Sequence, residues 1–345
     1  MTESLNQQNK AAVLEMWGAL DGSGHGPRTV HPEVRFYGHE PVGELVGFRS
    51  FIDEFWAPLR RSIGGQVAER GFGGDFERET HLFFAGQSNG QRDGNIANDG
   101  HHWVTGTGIF HGTFTYDYLG IPATNEPVTV RWGEFCRLID GVVVEIYFMI
   151  DMIDLMQQAG CNPLPPSRGI DGLYPPPRAG DGNLVEPSDP EITDYSLDHI
   201  RRFIFDGLNA YDETDLTSMG MADWFDSEVQ WYGPGGIGGC LSFKQFEDLH
   251  QKPWLVAFPD RQVQDLTALF AEGVYSGAPG WAGVLATHEG SYLGVDATGR
   301  SLKINGLDWW KRDGERYIEN WVFVDMIHLF SQMGVDLLAA VQNSR

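Results

Sequence analysis

Two stretches of this chain repeat one another, and that repetition limits the fold more than any other feature. Glu145-Ile-Tyr-Phe-Met-Ile-Asp151-Met-Ile-Asp-Leu-Met-Gln-Gln158 and Glu319-Asn-Trp-Val-Phe-Val-Asp325-Met-Ile-His-Leu-Phe-Ser-Gln332 keep a single register at a separation of 174 residues. Upstream, Val34-Arg-Phe-Tyr37-Gly38 matches Val229-Gln-Trp-Tyr232-Gly233, and Phe48 and Phe51 match Phe243 and Phe246, at a separation of 195. Self-similarity of this kind is the mark of a tandem duplication, so both halves must adopt one fold. Between them, Cys161 to Pro190 hold eight of the chain's 18 prolines. Proline fixes φ and removes a backbone donor, so this segment predicts a semi-rigid strap running over the surface. The expected organisation is a first domain over 1–162, a Pro- and Gly-rich linker over 163–192 and a second domain over 193–345.

Each half opens with an amphipathic helix, carried by Val13, Met16, Trp17 and Leu20 and again by Ile200, Phe203, Ile204 and Leu208. A short strand follows, then a second helix through Phe48, Phe51 and Phe55 or through Phe243, Phe246 and Leu249. Strands separated by glycine-rich turns fill the rest, and a last strand runs into a final helix at Asp151 or Asp325. The fold class is α+β, with helices against one face of a curved antiparallel sheet. The separation falls from 195 to 178 at Trp103 and Trp281, which places a 17-residue insertion around Gly86–Gly100 in the first half.

The 345 residues carry 48 acidic and 24 basic side chains, a formal charge of -24. Such a field repels phosphate backbones and anionic lipid surfaces, so nucleic-acid and membrane partners are disfavoured. Cys136, Cys161 and Cys240 are odd in number and far apart, which suits reduced thiols rather than a disulfide framework. Met1–Lys10 has no apolar core, and Val142–Ile150 is too short to span a bilayer. A cytoplasmic protein is expected.

Further motifs carry a family resemblance. Phe258-Pro259-Asp260, Thr287-His288-Glu289-Gly290, Ala297-Thr298-Gly299, Gly306-Leu-Asp308 and Glu319-Asn-Trp321 with Asp325 follow the motif order of SnoaL-like polyketide cyclases, members of the nuclear transport factor two-like superfamily. The first half resembles the same family through His31-Pro32, Gly120-Ile-Pro-Ala-Thr124 and Glu145-Ile-Tyr147. The resemblance implies two tandem cone-shaped domains, each with an enclosed pocket, needing neither metal nor organic cofactor. It also implies an intramolecular pseudo-dimer packed sheet to sheet, and leaves a homodimer of the whole chain open.

The chemistry implied is a proton taken next to a carbonyl while a second group steadies the developing oxyanion. One acidic position of the family falls on Phe148 and Val322, and neither can move a proton. A second falls on Glu134 and Asp308, carboxylates flanked by aromatics that would raise their pKa. These two are the candidate catalytic residues, Asp308 favoured, against the alternative of solvated rim carboxylates. His288 and His111 are further proton-carrier candidates, against satisfied partly buried histidines. Tyr37, Trp103, Trp132, Tyr232 and Trp281, with Asn320 as a neutral donor, are the candidate binding residues for a flat apolar ligand. Asp151 and Asp325 read as helix caps. His101, His102 and His111 could hold zinc only if the strand were broken, because adjacent strand residues face opposite ways. Two functions follow: a cofactor-free cyclase, isomerase, dehydratase or lyase acting on a small oxygenated substrate, or a non-catalytic ligand-binding or assembly protein.

Overall fold

A computed structural model of the chain describes residues 4–22, 27–64, 76–88, 100–210, 220–264 and 266–343. The first half forms β1 (Val30–Gly38), β2 (Glu44–Val46), β3 (Glu77–Gln87), β4 (His102–Thr113), β5 (Pro127–Ile139) and β6 (Val142–Ile150), in the spatial order β2-β1-β6-β5-β4-β3. The second forms β7 (Phe225–Tyr232), β8 (Gln262–Val263), β9 (Phe270–Glu272), β10 (Tyr275–Thr287), β11 (Ser301–Asp313) and β12 (Arg316–Val324), in the order β7-β12-β11-β10-β8, with β9 also paired to β10.

The expectation of wholly antiparallel sheets needs correction. β1 runs parallel to β6, and β7 parallel to β12, so both sheets are mixed. A parallel neighbour needs a long crossover, and here the remaining helices and strands of each unit supply it. Neither sheet closes into a barrel, since each path ends in edge strands.

Helices cover one face of each sheet. Leu5–Gly22 buries Val13, Met16, Trp17 and Leu20, while Pro190–Arg202 buries Ile200 and continues through a wider π-type turn, Phe203–Gly207, that buries Phe203 and Ile204. Asp189 caps that helix with Pro190 in its first turn. Equivalent π-type turns at Phe51–Trp56 and Glu247–Gln251 carry Phe55 and His250. Asp151 and Asp325 accept the N–H of Asp154 and His328 and start the final helices.

The other face of each sheet meets its counterpart. Along β5, β6, β11 and β12 side chains alternate, sending Trp132, Glu134, Ile146 and Phe148 inward and Phe135, Tyr147, Met149, Leu307, Trp309, Trp321 and Phe323 into the layer between the sheets. Phe135 and Trp309 occupy the same repeat position, 174 residues apart, and stack on each other at 5.0 Å. A Cβ at Gly133 would lie 2.4 Å from the Trp309 ring, so only glycine admits that approach. The caps cross over reciprocally: Asp151 accepts the N–H of Gly235 at 2.8 Å, and Asp325 that of Glu40 at 2.9 Å. Glu40 and Gly235 are themselves 195 residues apart. Residue i of one unit thus meets j of the other, and j meets i, as in an isologous contact. A buried Lys10–Glu272 ion pair of 2.8 Å closes the seam.

The proline strap is more than a surface cover. Tyr174 is buried in the layer between the sheets and shares a 2.6 Å hydrogen bond with Thr107, and Trp321 donates to the Pro175 carbonyl. Trp103 and Trp281 turn out not to be repeat partners. Trp103 pairs with Arg137 across β4 and β5, whereas the residue pairing with the equivalent Lys311 is Tyr275, and Trp281 lies in a register shift between Gly280 and Val284. The insertion length built on that match therefore does not hold, and most of the Gly86–Gly100 stretch, residues 89–99, lies outside the described residues.

Candidate functional site

Glu134 lies opposite Phe148, and Asp308 opposite Val322, so the two carboxylates occupy one position in two copies of the sheet. Their surroundings differ completely. In the first unit, Trp17 packs against Trp56, Phe110, Trp132 and Phe148, and Phe55 sits 5.1 Å from Phe148. The Trp17 indole donates to Glu134 Oε1 at 2.5 Å, and the Cys136 thiol lies 3.9 Å from Oε2. Glu134 is 1% exposed, and burial pushes its pKa up to about 7 even though the Trp17 bond and the Arg78 charge oppose the rise. It faces a filled core.

The second unit contains a cavity of about 180 Å³ at the same place. Its walls include Ile204, His250, Val284, Gly306 and Val322. These are the repeat counterparts of Trp17, Phe55, Phe110, Trp132 and Phe148, by helix pattern, by the separation of 195, and by pairing across the sheets. Five bulky aromatics have become an isoleucine, a histidine, two valines and a glycine. The exchange is not one-way, since Trp310 in this wall stands where the first unit has Cys136. The volume exceeds that of the ~150 Å³ apolar cavity that accepts benzene. A ring fits.

Asp308 opens onto this cavity, which accounts for its being enclosed by protein and yet partly accessible. Burial raises its pKa to about 7, and a hydrogen bond from Asn320 moderates the rise. The Asn320 amide also donates to the Trp309 carbonyl at 2.9 Å, which fixes its orientation. His250 shares the wall, stacked on Trp231 at 4.1 Å. Burial, helped by the Arg261 charge, lowers its pKa to about 3, so its imidazole is neutral near pH 7. Its Nδ1 has no hydrogen-bond partner in the structure. An acid with a pKa near 7 and a neutral imidazole on one apolar cavity are the parts of a proton-transfer site.

Asp308 and Asn320 are thus the two candidates from the sequence that the fold brings together. The other candidates lie elsewhere. His288 is buried behind the end of β10, 3.1 Å from the Thr298 hydroxyl and against Phe258, outside the cavity wall. His111 pairs with Glu79 at 2.8 Å on the outer part of the first sheet. Trp132 fills the first core, stacked on Phe110. Tyr37, Trp103, Tyr232 and Trp281 belong to the layer between the sheets, where Tyr37 stacks on Tyr147 at 4.5 Å and Trp281 meets both. Among the described residues no three His, Cys, Asp or Glu side chains are placed to hold a metal ion, and no helix is long and apolar enough to cross a membrane. His250, overlooked by the sequence reading, was detectable: the separation of 195 pairs it with Phe55.

Both units are α+β sheets with helices on one face and a helix-capping aspartate after the last strand. Residues 210–333, within the cavity-bearing unit, match the family model described as SnoaL-like polyketide cyclase. No curated protein matches the chain. Several solved structures are similar to part of the chain. A candidate SnoaL-like polyketide cyclase from Jannaschia sp. CCS1 is 14% identical over 44% of this chain and 98% of its own, with a TM-score of 0.36. A candidate hydroxylase from Streptomyces galilaeus is 20% identical over 41% of this chain and 82% of its own, with a TM-score of 0.34. An NTF2-like protein from Burkholderia thailandensis is 15% identical over 44% and 96%, with a TM-score of 0.29.

Proposed function

We propose that the second unit is a cofactor-independent acid–base catalyst of the cyclase or isomerase kind, acting on a small, largely apolar ring compound that carries a carbonyl. Asp308 takes the proton next to the carbonyl, and the neutral His250 imidazole hydrogen-bonds to the oxygen on which charge develops. Asn320 positions the Asp308 carboxylate. One observation carries this reading: of two carboxylates at one repeat position, Asp308 opens onto a cavity and Glu134 is sealed by Trp17. The first unit then serves as a structural partner, occupying the face that a second copy would cover in a dimer of single units. The three buried free cysteines suit a reducing, cytoplasmic setting.

Proton abstraction can be tested without the natural substrate. In D₂O, acetophenone and related aryl or cyclic ketones exchange their α-protons when a positioned base attacks them, and the loss of signal is followed by proton NMR. Asp308→Asn should reduce the enzyme-dependent rate by roughly 10²- to 10⁴-fold with little change in melting temperature. Exchange undiminished in that variant would sink the assignment. Val322, standing where the family resemblance implied an acid, favours a second reading in which the cavity binds a ligand without turning it over. Saturable binding with no exchange by the wild type would select it.

A further inference from the structure

A second cavity, of about 160 Å³, also borders His250. His250 belongs to the walls of both cavities. The outer one is bounded by Pro165, Pro166 and Arg168 of the strap, by the Ser291–Gly294 turn and by Pro253. The strap is held there by paired backbone bonds: Gly169 donates to Ile237, and Ile170 and Gly239 bond to each other. This feature arises from the linker, so an isolated unit would lack it.

Among the described residues, the one charged side chain that lines the outer cavity is basic. Arg168 makes no hydrogen bond or ion pair among the described residues. The Tyr292 hydroxyl, on a side chain 4% exposed, has no partner, and neither does His250 Nδ1. No acidic side chain lines this cavity, although the chain has 48 acidic residues against 24 basic ones. Folded proteins leave few buried polar groups unpaired, so the unspent Tyr292 hydroxyl beside the solvent-facing Arg168 guanidinium points to an acceptor that arrives from outside. The guanidinium fork matches a planar carboxylate, which it binds through two parallel hydrogen bonds. The large negative charge of the whole molecule disfavours a ligand with several charges. Neither cavity alone reaches the roughly 300–1,000 Å³ typical of ligand pockets, and the two together do.

We propose that the two cavities are the halves of one bipartite site, in which the inner half takes the ring of the substrate and the outer half binds a carboxylate-bearing arm through Arg168 and Tyr292, past the edge of His250. This deepens the acid–base reading by naming its substrate class, a cyclic or aryl ketone with a short carboxylate arm.

The test uses the full chain carrying Asp308→Asn, so that binding is measured without turnover. Calorimetry compares 3-benzoylpropionate with its methyl ester and with acetophenone. The acid should bind about tenfold or more tighter than either neutral compound. Adding Arg168→Met should bring the acid down to the affinity of the ester, and adding Tyr292→Phe should cause a smaller loss; Arg168 is exposed, so its replacement should leave the melting temperature unchanged. Equal affinity for acid and ester, retention of the preference in the Arg168→Met protein, or failure of all three compounds to bind at millimolar concentration would overturn the subsite. Tight acid binding in a protein whose wild type exchanges no ketone protons would leave the subsite standing and remove only the catalytic reading.

Discussion

The two units hold the same carboxylate position under opposite conditions. Around Glu134 the space is taken by Trp17, Phe55, Phe110, Trp132 and Phe148; around Asp308 their counterparts leave about 180 Å³ open. Both carboxyls are pushed to about 7 by burial, so a shifted pKa alone does not distinguish a proton carrier from a buried acid. Access distinguishes them. One unit fills its core with aromatic side chains, while the other leaves its core partly empty, which lowers stability.

The largest expected effect comes from emptying the filled unit. Trp17→Ala removes a fully buried indole and its hydrogen bond to Glu134, and should cost about 3–5 kcal/mol of unfolding free energy in denaturant titrations. Ile204→Ala, at the same position beside an existing cavity, should fall near the lower end of the roughly 2–5 kcal/mol range for such truncations. Equal costs would show that the two cores are packed alike, against the comparison drawn here.

Filling the open unit makes the opposite change. Ile204→Trp copies the first unit's residue into the cavity wall, and should abolish ligand binding by calorimetry at a stability cost of about 1–3 kcal/mol or less. Binding that survives this substitution would move the ligand elsewhere.

A smaller and pH-dependent effect should appear at Glu134. Its folded pKa, about 7, lies above the ordinary glutamate value of 4.5, so the native state keeps a proton that the unfolded chain has lost. Wild-type stability should therefore fall as pH rises from about 4.5 to about 7. Glu134→Gln cannot ionise and still accepts the Trp17 hydrogen bond. It should match the wild type near pH 4.5 and exceed it by up to about 3 kcal/mol at pH 8. Parallel stability curves across that window would show that Glu134 is not buried as an acid.

The repeat, the helix stripes and the capping roles of Asp151 and Asp325 were legible in the sequence because each depends on local spacing. The parallel pairing of β1 with β6 was not, because a crossover leaves no mark on the strands it joins. The aromatics misled for a related reason. Period-two alternation shows that Tyr147 and Phe148 face opposite ways, yet does not say whether the far side meets ligand, water or a second sheet. Tyr37, Trp103, Tyr232 and Trp281 proved to be packing between the sheets. The asymmetry itself was written in the chain at Trp132 and Gly306, 174 residues apart, and at Phe55 and His250, 195 apart. Seeing it required following the register into each core position rather than counting aromatics.

The claim that one unit carries the chemistry is tested most directly by the pH profile of ketone α-proton exchange in D₂O, measured for the wild type, Glu134→Gln and Asp308→Asn. A general base must be ionised to act, so the wild-type rate should rise with pH through about 7, the value to which burial pushes Asp308. Glu134→Gln should reproduce that profile, and Asp308→Asn should lose it. A profile that survives in Asp308→Asn and disappears in Glu134→Gln would place the reaction in the sealed unit and contradict the account.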